Sequence, residues 1–239
     1  MQTSILKHII NSKKEGKKLL AVLLDPDKVD LNEVKNLIEK IKNHVDFLFV
    51  GGSTVSYGDT QELVEQLKVL TSIPIVLFPG DYSQITNTAD AILFLSLISS
   101  DNPEYLIKQQ LKAVPLLQKS NLEIIPTAYI LIDGGAETTV QKVSGTKPIA
   151  QNNIELVSNT AIAGMYLGKQ LVYLEAGSGA TEAVSQKIIK KVSKNISIPL
   201  IVGGGIRTKK QLTVAYNAGA DLIVIGTAFE ENNLFFETI

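Results

Sequence analysis

The chain of 239 residues contains no cysteine and no tryptophan, and only two histidines, His8 and His44. Without cysteine there are no disulfides, thiolate-ligated zinc sites, iron–sulfur clusters or thiol nucleophiles. A charge surplus is also missing. Lysine plus arginine total 23 against 24 acids, a formal charge of −1, so no overall basic excess recruits nucleic acid or an anionic membrane. Long apolar runs are absent as well. The longest uncharged stretch, Leu156 to Gly168, is 13 residues and includes Asn159 and Gly164, short of the roughly 18–20 apolar residues that a spanning helix needs. Lysines interrupt Met1 to Leu20 throughout, which leaves no signal-peptide core. A cytoplasmic protein without a membrane span is expected.

What the chain does have is apolar material, 45% of its residues, in short recurring runs. Eight of them read as parallel strands buried on both faces: Leu19 to Leu24, Asp46 to Val50, Ile73 to Phe78, Ala91 to Leu97, Ile124 to Ile132, Leu171 to Leu174, Pro199 to Val202 and Leu222 to Ile225. Segments such as Leu31 to Asn43 lie between them, with Val34, Leu37, Ile38 and Ile41 at helical spacing. Strand and helix alternating eight times, at about 30 residues per unit, predicts an α/β fold of the TIM (β/α)8-barrel type in one domain over 1–239, with an amino-terminal helix. Two intervals are unusual. Strand four starts 18 residues after strand three, where the neighbouring spacings are 27 and 33, so the third helix is expected to be short or replaced by irregular structure. Such a gap would open a groove for a long apolar ligand beside the barrel mouth. The surplus, Asp133 to Gly168, predicts a polar active-site loop followed by a helix from Asn153 to Tyr166.

Barrel enzymes carry their chemistry at the carboxyl ends of the strands. Strand seven ends in Gly203-Gly204-Gly205 and strand eight in Gly226-Thr227, where backbone can approach an anion closely, in the place where many barrels bind phosphate. Strand six ends in Tyr173-Leu174-Glu175-Ala176-Gly177-Ser178-Gly179. Alternation puts Tyr173 and Glu175 on one face, and Glu175 can orient a substrate hydroxyl and take its proton. A carboxylate paired with a neighbouring lysine is the structural alternative. After strands one and two stand Asp25 and Thr54, a carboxylate and a hydroxyl that suffice for a magnesium ion sharing its remaining ligands with phosphates and water, or that serve only as turn residues.

Other positions carry less. His8 and His44 follow no strand and read as solvent-facing. Asp133 before Gly134 and Gly135 reads as a turn residue. Arg207 could assist a phosphate or pair with a surface carboxylate. Lys142 and Lys147 read as solvated loop charges, and Phe229, Phe235 and Phe236 as core or subunit interface. From the residues alone, a sugar-phosphate isomerase or lyase and a non-catalytic phosphometabolite- or phospholipid-binding module stay open.

LLDPDK at Leu23 to Lys28, VGGST at Val50 to Thr54, YLEAGSGA at Tyr173 to Ala180, VGGGIRT at Val202 to Thr208 and IGTAF at Ile225 to Phe229 together resemble the geranylgeranylglyceryl and heptaprenylglyceryl phosphate synthase family, in its larger group. The resemblance implies a prenyltransferase that joins sn-glycerol 1-phosphate to a polyprenyl diphosphate and releases diphosphate in lipid biosynthesis. It also implies Mg2+ on Asp25 and Thr54. Glycerol phosphate would lie on Tyr173, Leu174, Glu175, Ala176, Gly177, Ser178, Gly179, Gly204, Gly205, Gly226 and Thr227, with Glu175 and Tyr173 catalytic. A modified barrel lacking an ordinary third helix, and a homodimer or higher homo-oligomer, are implied in the same way.

Overall fold

The computed structural model describes residues 4–56 and 58–226. Eight parallel strands close into a barrel in chain order, with β8 paired to β1. They are β1 (Leu19–Leu24), β2 (Phe47–Val50), β3 (Ile75–Leu77), β4 (Ala91–Leu97), β5 (Glu123–Leu131), β6 (Leu171–Glu175), β7 (Leu200–Gly203) and β8 (Leu222–Ile225). Alternate residues of each strand serve two separate cores. Inward-facing Ala21, Phe49, Val76, Leu93, Tyr129, Tyr173, Ile201 and Val224 fill the barrel. Outward-facing Val22, Leu48, Ile92, Ile130, Leu174, Val202 and Ile223 meet the helices α2 (Val34–Ile41), α3 (Asp59–Leu70), α6 (Ile154–Tyr166), α7 (Gln186–Asn195) and α8 (Lys209–Ala218). Register then decides what reaches the mouth, where Leu131, Glu175 and Gly203 lie level across β5, β6 and β7.

Helix α1 (Ile5–Glu15) closes the amino-terminal end of the barrel, placing Ile5 and Ile9 in the interior cluster. Glu123 at the start of β5 holds that helix, accepting hydrogen bonds from the Ser4 hydroxyl and from the N–H groups of Ile5 and Leu6. His8 is not solvent-facing as expected. It lies half-buried with its ring edge-on to Phe47, centroids 5.7 Å apart, because the helix needs apolar contact along the face it turns to the barrel. His44 is exposed.

The third helix of the barrel ring, between β3 and β4, is reduced to a single 3-10 turn, Tyr82–Gln84, capped by the Asp81 carboxylate accepting from the Ser83 N–H at 2.7 Å. β3 is shorter than the apolar run around it. Pro74 has no N–H to donate, and the Ile73 N–H goes to the Thr71 hydroxyl instead. Helix α4 (Gln109–Leu117) is entered through a π turn, Glu104–Lys108. The segment after β5 is more ordered than a polar loop. It contains α5 (Thr139–Ser144), started by a reciprocal Thr138–Gln141 capping box and ended at Gly145, and a bridge from Ile132 to Ile149 precedes α6. Among the described residues no helix is long and apolar enough to cross a membrane.

Candidate active site

The strand ends surround a cavity at the barrel mouth, lined by Asp25, Asp27, Gly52, Thr54, Tyr173, Glu175, Gly179, Gly204, Gly205 and Gly226 among others. A second, largely apolar cavity opens where the third helix is missing. Pro79, Tyr82 and Ile85 line it on one side, Phe94 and Leu95 on another, and Tyr105 and Ala113 complete it. The two cavities share Gly52, Ser53, Phe78, Tyr129 and Val140. With the open solvent at their faces included, the space is about 1090 Å3 at the mouth and about 800 Å3 in the groove.

Glu175 is the electrostatic centre of the mouth. Its carboxylate is 6% exposed and accepts the Gly177 N–H at 2.7 Å. Burial raises its pKa to about 7, while that N–H and the neighbouring Tyr173 hydroxyl oppose the rise. The Tyr173 phenol, fully buried, makes no hydrogen bond of ordinary geometry to any group. It is held by its ring, stacked on Phe78 at 5.2 Å and edge-on to Tyr129 at 5.4 Å. Burial and the adjacent Glu175 charge push both tyrosines well above the ordinary phenol range. They are neutral donors at any working pH. β7 has to end in glycine beside this group, since a Cβ on Gly203 would lie 2.5 Å from the Tyr173 hydroxyl and 2.7 Å from Glu175 Oε2.

Across the mouth, Asp25 Oδ2 lies 3.1 Å from the Lys28 ammonium, and Oδ1 accepts the Asp27 N–H at 3.2 Å. Asp27 in turn accepts the Ser56 N–H at 3.0 Å, joining the β1 and β2 loops. Thr54 is exposed on that second loop. Among the described residues no three carboxylates or imidazoles gather into a metal group, so any ion here takes most of its ligands from elsewhere.

The pattern of the PcrB family, matched to this sequence, covers residues 11–239. The chain belongs to the PcrB family. It is 58% identical to the geranylgeranylglyceryl phosphate synthase of Zunongwangia profunda over 95% of this chain and 97% of that protein. To the enzyme of the same name from Flavobacterium johnsoniae it is 52% identical over 99% and 98%. The crystal structure of (S)-3-O-geranylgeranylglyceryl phosphate synthase from Thermoplasma acidophilum, in complex with its substrate sn-glycerol-1-phosphate, superposes with a TM-score of 0.92 at 34% identity, covering 99% of this chain and 95% of that one.

In this PcrB-family chain most residues singled out from sequence converge on the mouth. Asp25, Thr54, Tyr173, Glu175, Gly177, Ser178, Gly179, Gly204, Gly205, Gly226 and Arg207 all line it. Leu174 and Ala176 do not. Both belong to the layer between barrel and helices, and the Ala176 and Gly177 N–H groups are already engaged by Gly203 O and Glu175. Thr227, Phe229, Phe235 and Phe236 lie outside the described residues. Asp133 is the turn residue expected, its carboxylate accepting the Gly135 N–H. Lys142 pairs with Glu137 at 3.4 Å and Lys147 is exposed. Phe78, Tyr129 and Gln84 are the site residues that sequence reading passes over. The inward parity of Tyr129 on β5, level with Tyr173, was the available signal.

Proposed function

We propose that this chain is a magnesium-dependent geranylgeranylglyceryl phosphate synthase with Glu175 as its base. It joins sn-glycerol 1-phosphate to geranylgeranyl diphosphate or a similar polyprenyl diphosphate. The carbon–oxygen bond to diphosphate breaks, a carbon–oxygen bond to the glycerol hydroxyl forms, and the hydroxyl proton passes to Glu175. The observation that carries this reading is the meeting of the two cavities at Phe78 and Tyr129, beside Tyr173 and Glu175. A polar mouth for the phosphates, an apolar groove for the chain and a carboxylate at their junction are what the reaction requires. A sugar-phosphate isomerase has no use for the groove.

Each residue then has a task. Gly204 and Gly205, both at positive φ, let backbone close on the glycerol phosphate together with Ser178, Gly179 and Gly226. The Tyr173 hydroxyl beside Glu175 opposes the rise that burial imposes on its carboxyl. Phe78 and Tyr129 exclude water from the reacting carbon. The Asp25 carboxylate and Thr54 hydroxyl are hard oxygen donors on adjacent loops and would hold a magnesium ion. When bound, that ion supplies charge neutralisation for the departing diphosphate. The family resemblance further suggests a cytoplasmic homodimer or larger homo-oligomer.

Glu175→Gln is expected to lower turnover at least 100-fold while glycerol 1-phosphate still binds, as calorimetry would register; turnover within a few-fold of wild type removes Glu175 from the mechanism. Asp25→Asn is expected to raise the magnesium concentration needed for half-maximal rate at least tenfold. An unchanged magnesium titration refutes that ligand assignment.

A further inference from the structure

The turn that replaces the third helix does more than leave a gap. Gln84 on it is 3% exposed and is tied on both sides of its amide. Its Oε1 accepts the N–H of Gly52 at 3.3 Å and of Gly80 at 3.2 Å, and its Nε2 donates to Gly52 O at 2.8 Å. Three bonds therefore fix the amide orientation and clamp Gly52 from both its N–H and its carbonyl. The fit is close around it. A Cβ on Gly80 would lie 2.6 Å from Ser53 O, so the turn presses directly on the loop between β2 and α3. That same loop carries Thr54, and Gly52 packs against the Asp25 carboxylate, where a Cβ would come 2.9 Å from Oδ1. On its other side the turn holds α4, the Tyr82 N–H donating to Gln109 Oε1 at 3.1 Å. Its flanking residues Tyr82 and Ile85 form one wall of the apolar groove.

We propose that Gln84 is a positioning residue that sets the Gly52–Thr54 loop for the diphosphate head of the prenyl substrate, so that one short turn serves both the groove for the tail and the loop for the head. This inference rests on the synthase reading, which places the diphosphate between Asp25 and Thr54. Two of the three bonds of this buried amide go to Gly52 and the third to Gly80 on its own segment, so the side chain ties the turn to the loop after β2. Its bonds fix the two adjacent N–H and C=O groups whose orientation determines where Thr54 stands.

The test is binding of inorganic diphosphate, in the presence of magnesium, to Gln84→Met and Gln84→Glu, followed by calorimetry. Methionine keeps the volume and drops all three bonds. Glutamate keeps the acceptor but sets an oxygen against Gly52 O. Both are expected to raise the Kd for diphosphate and the KM for geranylgeranyl diphosphate at least fivefold, with the Kd for glycerol 1-phosphate within twofold of wild type. Unchanged diphosphate affinity in both variants overturns the proposal, and so does a parallel loss for both ligands, which is what simple loosening of the fold would give. Asp25→Asn, measured alongside, separates the two readings. If it weakens diphosphate binding and the Gln84 variants do not, the positioning role fails and the head site stands; if it has no effect, the head site itself is wrong.

Discussion

Glu175 sits in a place where a carboxylate is costly and useful at once. Its folded-state pKa of about 7 stands above the ordinary 4.5 because burial outweighs the Gly177 N–H and the Tyr173 hydroxyl. As the proposed base it must be ionised. The value of kcat/KM is expected to fall about tenfold per unit below pH 7, and Tyr173→Phe, by removing a group that lowers this pKa, is expected to move that limb to higher pH; an unmoved limb would separate the phenol from the carboxylate. The stability effect has the opposite sign. Below pH 4.5 the carboxyl is protonated in both states and full stability is present; between 4.5 and 7 only the folded state keeps the proton, so stability falls as pH rises and then levels off. The loss is on the order of 3 kcal/mol. Glu175→Gln is therefore expected to melt higher than wild type at pH 8.5, with the gain shrinking toward pH 5, and a variant that melts lower at both would contradict the account. Glu175 and Tyr173 were legible because each stands at or near a strand end, where alternation aims both inward. Leu174 and Ala176 were not separable from them while the segment was read as a block, although the same alternation sends those two to the helix layer.

Among the elements, the missing helix could be anticipated because chain length is a hard constraint, and 18 residues cannot hold two strands' connection and a full helix. What the turn does with its residues was not legible. Gln84 is polar and unremarkable in sequence, and its role depends on a loop 32 positions away. α5 was hidden for the opposite reason, as its Thr138–Gln141 capping box is embedded in a polar, glycine-containing stretch that reads equally well as loop. Helix α1 depends on a partner far more remote in sequence. Glu123 accepts from Ser4, Ile5 and Leu6, joining a first-turn dipole interaction to a cap. Glu123→Ala is expected to cost about 1–2 kcal/mol, seen as a lower melting temperature with kcat unchanged at temperatures where the variant stays folded. Equal melting temperatures would mean that the apolar contacts of Ile5 and Ile9 hold the helix alone.

At the scale of the whole molecule, a net charge of −1 is compatible with two phosphorylated substrates, since the proposed sites would capture anions locally, through glycine backbone at β7 and β8 and through a magnesium ion at Asp25 and Thr54. The barrel itself was legible in eight apolar runs, since strands buried on both faces have no polar alternation to confuse with surface. The joining of mouth and groove was not, because it depends on Phe78, just past β3, meeting Tyr129 of β5 across the barrel interior at 5.8 Å between ring centroids. That junction serves the making of one bond, between the glycerol oxygen and the prenyl carbon. The most direct measurement is incubation of the protein with labelled sn-glycerol 1-phosphate, magnesium and prenyl diphosphates of graded chain length, followed by analysis of the products. A prenylglyceryl phosphate ether and one equivalent of diphosphate are expected, with the rate rising as the chain becomes long enough to occupy the groove. Binding of both substrates with no ether formed at any chain length would contradict the synthase reading.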